Sequence, residues 1–510
     1  MKLSIAEYRD KLAGCWLGKN VGGTLGAPFE CKRGIFDVTF YTQDLKGEPV
    51  PNDDLDLQLV WLNAIEKHGR SVDARILGEY WLSYVTPNWC EYGAGKNNMR
   101  AGLVPPLAGH VHNVFRDSCG AFIRSEIWAC LAPGHPEIAV QYAYEDAIVD
   151  HSGEGVYAEV FCAAVESAAF VESDVYKLID IGLSYIPADC GIAKGIHTAL
   201  DAYRSGLSWQ EARSRVLHAV PGSFGIIGMT AEELAADDIP IGEMGYDAPS
   251  NIGLTIVAWL YGENDFGNTV CIATNCGEDT DCTAATVGSI LGIIHGAKGL
   301  PAKWTEPIGD SIKTLCINLG DQGLRVPKTV TELTNRIMKL APSFLGSDLC
   351  DTLCDEPGYV IEMREPEQLS HRPERINSWI DRSFFDHLAL APFTVKYDFV
   401  IFSSYLDYGA EPFIREDQPI TLKLKLENKL YMQQYLQLNW HMPDEWDISP
   451  SRKSAIPLEQ YHANVGTATV NFTITPRQLK QSRYDLILEV IAEGRPTKGL
   501  IPIVLIHSSL

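Results

Sequence analysis

A chain of 510 residues exceeds what one ordinary core sustains, and its 46% apolar and 21% charged residues make a globular rather than a disordered composition. The formal net charge is −24, and no basic patch offsets it, which excludes a general role on nucleic acid or anionic membranes. The start, MKLSIAEYRDKLAGCWLG, lacks a positive segment leading into an unbroken apolar run, and no later run is long enough to span a bilayer, so a cytoplasmic protein is expected. The 13 cysteines are scattered without a C-x-x-C pair, which points to neither a disulfide framework nor a zinc cluster.

Helical spacing with Gly and Pro punctuation dominates from residue 4 to about 340, so the first part reads as all-α. Gly14, Gly18, Gly22 and Gly26 recur every four residues near the start. Each weakens a helix by roughly 1 kcal/mol relative to Ala, so the second half of this segment is expected to be a loop. Leu55, Leu59 and Leu62 mark a helix that starts after Pro51-Asn52-Asp53 and stops at Gly69. A further helix is expected from about Asp281 to Ala297, with Ala284, Gly288 and Gly292 forming a flat ridge that lets another helix backbone approach. Pro-rich, acidic sequence without clear period places an irregular connecting segment at 342–392, which separates a catalytic domain over 1–341 from residues 393–510. There the period becomes two: Ile420, Leu422, Leu424, Leu426; Leu436, Leu438, Trp440; Val470, Phe472, Ile474; Tyr484, Leu486, Leu488, Val490. That pattern predicts a small β-sandwich of immunoglobulin-like type, and it holds no catalytic constellation.

Two acidic clusters stand at expected helix starts: Asn52-Asp53-Asp54 with Asp56, and Glu278-Asp279-Thr280-Asp281. A single Asp at such a place is ordinarily a cap that complements the helix dipole. Adjacent carboxylates repel unless a cation or solvent screens them, so two such clusters point to a shared Mg²⁺ or Mn²⁺ site, and a hard-oxygen set argues against zinc. A metal-free glycosidase with two carboxylates at a set separation is the other reading of so many acids. His110 and His112 lack a third ligand at suitable spacing and read as loop or core residues.

Three segments, GCWLGKNVGGTLGAPFE, PNDDLDLQLVWL and NCGEDTDCTAATVGSILGIIHGAKG, resemble in order and spacing the defining motifs of the ADP-ribosylglycohydrolase family. Ser118-Cys119-Gly120-Ala121-Phe122-Ile123-Arg124 is similar to that family's loop around ADP-ribose, and Asp150-His151-Ser152 to its substrate-contacting step. The resemblance spans about residues 5 to 305. It implies an all-α domain with a two-metal centre: Asn52, Asp53 and Asp54 on one ion, Asp279, Asp281 and Cys282 on the other, and Asp281 bridging. Glu30 would position or activate water, and Asp53 and Asp281 join it in the implied catalytic set. Ser118, Cys119, Gly120, Ala121, Arg124, His151 and Ser152 would line the substrate, although Arg124 also reads as a structural partner for a buried carboxylate.

The sequence departs from the family at four places. Asn52 replaces Thr and still offers a neutral oxygen; Thr24 replaces a common Asp; Glu278 replaces Gly. Cys282 replaces Thr or Ser with a sulfur that Mg²⁺ binds poorly, which leaves open a weaker second site, recruitment of water or Glu278, or a preference for Mn²⁺. The implied function is metal-dependent hydrolysis of an N- or O-glycosidic bond to ribose, with an ADP-ribosylated protein or an ADP-ribose-like small molecule as substrate. A related glycosidase acting on another nucleoside-derived or sugar substrate, and a non-catalytic ADP-ribose or metabolite binder with a decayed second site, are the alternatives.

Overall fold

The computed structural model describes residues 1–220, 245–317, 323–352, 358–371, 390–391, 393–460, 466–495 and 498–507. The chain forms two compact units, Met1–Lys96 with His112–Arg375, and Asn97–Val111 with Ile376–Leu510. The first is mainly helical, and the second is built mainly of antiparallel strands, with one parallel pair between Phe413–Ile414 and Lys498–His507. None of the described helices is long and apolar enough to cross a membrane.

In the first unit, Ser4 caps a continuous helix over Ile5–Gly26 by accepting from the Glu7 N–H. The loop expected in its second half is absent, and the reason lies in packing. A Cβ at Gly14, Gly18, Gly22 or Gly26 would strike, in turn, the backbones of Gly292, Gly288, Ala284 and Thr280–Asp281. The falling partner numbers show that the first helix runs antiparallel to the Thr280–His295 helix, with backbones in direct contact along the small-residue ridges of both. Close packing over four turns outweighs the propensity cost of the glycines.

The Asp53–His68 helix has the expected ends. Asn52 caps it by accepting from the Asp54 N–H at 2.7 Å, and Gly69 stops it at φ 58°, a conformation costly for other residues. The Val330–Leu345 helix runs through Pro342 rather than ending before it. Proline cannot donate to the Met338 carbonyl, and the Tyr359 hydroxyl does so instead at 2.6 Å. Beyond this helix, Cys350–Asp351 and Val360–Glu362 pair antiparallel, and the latter strand also pairs with Lys2–Ser4. Much of the rest of the expected connecting segment, 353–357, 372–389 and 392, lies outside the described residues.

Among the described residues, the second unit has two five-stranded sheets. One orders Lys453–Leu458, Gln434–His441, Arg483–Ala492, Lys498–His507 and Phe413–Ile414; the other orders Thr394–Asp398, Phe402–Asp407, Ile420–Asn428, Thr467–Thr475 and Asp447–Ser449. Alternate residues of both, including Leu422, Leu424, Leu426, Leu436, Leu438, Trp440, Leu486 and Leu488, form one apolar core, as a sandwich requires. Leu103, Leu107 and Val111 belong to the same core, so the stretch 97–111 interrupts the helical unit in sequence and folds with the strands.

Candidate functional site

The antiparallel crossing brings the end of the first helix, followed by Glu30, to the first turn of the Thr280–His295 helix, which carries Asp281 and Cys282. The Asp53–His68 helix presents its own first turn to the same place: Asn52 Nδ2 donates to Asp281 Oδ2 at 3.2 Å, and the Cys282 thiol to Asp54 Oδ1 at 3.5 Å. Two groups of possible metal ligands result among the described residues, each with its ligand atoms within 4.8 Å of one another: Asp54 with Asp281 and Cys282, and Glu30 with Asp279 and Asp281. Asp281 belongs to both. The geometry divides the acids differently from the motif-by-motif assignment, since each group draws on two motifs.

Asp53 turns toward the Tyr92 hydroxyl, which donates to Oδ2 at 2.7 Å, while the Asn52 carbonyl oxygen is the helix cap. Asp56 is buried and accepts from the backbone N–H groups of Leu315 and Cys316, so it fastens a neighbouring loop. The Glu278 carboxylate points away from the acids to Arg33, at 2.6 Å, and toward Arg213, at 3.7 Å. Recruitment of Glu278 as a replacement ligand is therefore not what this geometry builds. Its backbone has φ 69°, a left-handed conformation in which glycine is the unstrained choice. Thr24 is also structural here, accepting from the Val50 N–H at 3.3 Å.

The acids are electrostatically frustrated. The charge of Asp281 leads in pushing Glu30 up to about 8, helped by burial and by Asp53. Burial, then Asp53, pushes Asp281 up to about 6. Asp279 is held well above the usual carboxylate range by burial, Asp281 and Glu30. Asp54 is raised by burial and by neighbouring acids against the lowering effect of Lys19. Asp54 Oδ2 and Asp281 Oδ1 are buried with no hydrogen-bond partner. Buried anionic oxygens left unpaired are costly, and hard oxygen donors facing one another are what a divalent cation requires. The donor set fits such an ion.

Sequence reasoning missed the support beneath the site. Lys19 is buried 3.8 Å from Asp54 and 2.7 Å from Glu126, and Gln58 and Ser289 also donate to Glu126. Burial alone would lower the Lys19 ammonium, but Glu126 and Asp54 outweigh it and raise its pKa. One signal was available: Lys19 is the single charged residue between Lys11 and Glu30, in a stretch otherwise fit only for close packing.

The loop 118–124 backs the second acid cluster, where burial and the neighbouring Asp279 push the Cys119 thiol up. Ser118 Oγ lies 2.9 Å from His151 Nε2, and His151 Nδ1 lies 2.9 Å from Asp150 Oδ1, all buried. Arg124 is fully buried, with Nε on Asp146 at 2.7 Å, Nη2 on Asp150 at 2.6 Å and Nη1 on the Gly120 carbonyl at 2.7 Å. Every guanidinium nitrogen thus has an interior partner, which favours the structural reading of Arg124 over a phosphate contact. Ala121 is buried, and the Ser152 N–H donates to Arg116 O. His110 packs edge-on against Phe393 within the second unit and is not among the acids.

Buried carboxylates gathered at two helix starts of a helical domain make a candidate divalent-cation centre. The chain belongs to the ADP-ribosylglycohydrolase family, whose model matches residues 4–339. A segment is similar to the ADP-ribosylarginine hydrolase Tri1 of Pseudomonas putida (strain GB-1), 32% identical over 69 residues, 13% of this chain and 19% of that protein. The match thus spans about a fifth of that relative's length. Among solved structures, an ADP-ribosylglycohydrolase-related protein complex is similar at 18% identity and a TM-score of 0.42, over 67% of this chain and 98% of that one.

Proposed function

We propose that this protein is a divalent-metal-dependent hydrolase that cleaves an N- or O-glycosidic bond to ribose, releasing ADP-ribose from a modified protein or small molecule. The observation that carries the reading is the pair of buried oxygens on Asp54 and Asp281 that lack a hydrogen bond, the first of them 3.8 Å from the Lys19 ammonium, set among Glu30 and Asp279. Bound cations would supply Lewis-acid polarisation and a template for vicinal ribose hydroxyls. Asp54, Asp279 and Asp281 would hold them, with Asp281 common to both groups. Lys19 and Glu126 fix the Asp54 side from below. Glu30 is the exposed member of the set, so it is the carboxylate that reaches solvent; with a cation offsetting the charge of Asp281 it can orient water, accept its proton as the anomeric bond breaks and pass that proton to the leaving group. The loop 118–124, tied down by Arg124 and by the Ser118–His151–Asp150 chain, would form the wall against which the sugar is held.

The test measures free ADP-ribose released from ADP-ribosylated arginine and from ADP-ribosylated peptides by metal-stripped protein, with and without added Mg²⁺, Mn²⁺ or Zn²⁺, singly and in pairs. Release that requires the cation and disappears in Asp281→Asn is expected. Release indifferent to chelation, or no release with any acceptor although the cation binds, overturns the hydrolase reading.

A further inference from the structure

We propose, building on the metal-dependent reading above, that the group of Asp54, Asp281 and Cys282 is a mixed oxygen–sulfur site that selects a thiophilic divalent cation, zinc in a cell, over magnesium. The three ligand atoms lie within 4.8 Å of one another, and the sulfur is 3.5 Å from Asp54 Oδ1. The residues are 1%, 3% and 6% exposed; Asp281 Oδ1 has no hydrogen-bond partner, and Asp54 Oδ2 lacks one as well and has the Lys19 ammonium 3.8 Å away, so a buried oxygen without a hydrogen bond adjoins the thiol on each carboxylate. Cys282 sits in the first turn of the Thr280–His295 helix, whose backbone packs directly against the first helix, so its Cα is held in place beside Asp54.

Donor chemistry then discriminates. Magnesium is bound by hard oxygens and leaves a sulfur uncoordinated, so for that ion the site offers only two carboxylates. Zinc accepts carboxylate and thiolate together, and three protein ligands with one open position is the pattern of catalytic zinc. Charge also favours a cation. On binding, the thiol proton leaves to solvent. Two carboxylates and a thiolate carry three negative charges, and the Lys19 ammonium, 3.8 Å from Asp54, is already shared with Glu126 at 2.7 Å, so the cluster keeps an excess of negative charge for a dication. The neighbouring group of Glu30, Asp279 and Asp281 is all oxygen and suits magnesium or manganese. The two groups would therefore hold different ions.

The experiment titrates metal-stripped full-length protein with Mg²⁺, Zn²⁺ and Cd²⁺, the last as a spectroscopic substitute for zinc, in wild type, Cys282→Ser, Cys282→Thr and Asp281→Asn. In wild type, the first equivalent of Cd²⁺ should produce the ultraviolet sulfur-to-cadmium charge-transfer band. Both Cys282 variants should lose that band, and their preference for Zn²⁺ over Mg²⁺ should fall by about tenfold or more in calorimetry. Comparison with the variants removes ions held by the other cysteines, and melting in the absence of metal identifies the variants that are folded. Absence of the band in wild type overturns the inference whichever variant folds. An unchanged band or an unchanged affinity ratio in either folded variant overturns it as well. If Asp281→Asn binds every ion as wild type does, the metal reading itself falls; if it loses binding while Cys282→Ser changes nothing, only the sulfur ligand is wrong.

Discussion

Asp281 is shared by both ligand groups, and its neighbours set what its loss should do. As a first-turn charge it would contribute only about 0.3–1 kcal/mol through the helix dipole. Among Asp53, Asp279 and Glu30 it is instead a source of repulsion in the metal-free state. Asp281→Asn is expected to raise the melting midpoint of metal-stripped protein and to weaken cation binding at once; a lower midpoint with unchanged affinity would identify a simple cap. A pH dependence follows with a definite sign. Glu30 and Asp281, at about 8 and about 6, bind protons more tightly in the folded state than in the unfolded chain, so their contribution is present in full below about pH 4. It is lost as pH rises through those two values. Metal-stripped protein should therefore melt lower at about pH 9 than at about pH 5, Mg²⁺ or Mn²⁺ should reduce the fall, and Glu30→Gln should flatten its upper part. A flat profile in wild type would show that the acids do not repel. The clusters around Asp53 and Asp281 were legible because adjacent carboxylates are conspicuous in sequence. Lys19, Glu126 and Tyr92 were not, because each meets its partner only through the fold.

Helix placement is the next scale, since the distance from Glu30 to Asp281 depends on how closely two helices cross. A methyl group at Gly26 would land on the Thr280 carbonyl and the Asp281 backbone. Gly26→Ala should therefore push the helix ends apart, cost about 1–3 kcal/mol as overpacking, and weaken cation binding although no ligand is altered. Gly18→Val, farther from the acids, should destabilise by at least as much with less effect on affinity once the protein is folded. Calorimetry and melting on both variants check this, and equal losses of affinity would mean that the crossing does not set the site's geometry. The small-residue ridge at Ala284, Gly288 and Gly292 could be read from spacing, as could the ends of the Asp53–His68 helix from Asn52 and Gly69. Continuation of the first helix through Gly22 and Gly26 could not, because local propensity opposes it and only the partner backbone favours it. Passage of the Val330–Leu345 helix through Pro342 was hidden likewise, depending on a hydroxyl from Tyr359.

At the scale of the whole molecule, the change from helical to alternating period was plain, and the sandwich core is made of the residues that alternate. Less visible was that the stretch 97–111 folds with those strands, because Leu103, Leu107 and Val111 are too few to show a period and lie among helical sequence. All the acids of the site and their supports lie in the first unit. A chain ended after residue 371 keeps the strand pairing of Lys2–Ser4 with Val360–Glu362 but leaves those three side chains without the core that buries them. Burial of such side chains stabilises by about 1.5–3 kcal/mol each, and uncovered together they form a contiguous apolar patch. The shortened chain is expected to self-associate and bind a hydrophobic dye, and the same chain carrying Leu103→Gln, Leu107→Ser and Val111→Ser to return to a monomer that still gains thermal stability from added cation. Light scattering and melting with and without Mg²⁺ or Mn²⁺ decide it. A shortened chain that stays monomeric without the substitutions would show that 97–111 does not depend on the strands, and a substituted monomer that gains nothing from any cation would show that the second unit contributes to the site.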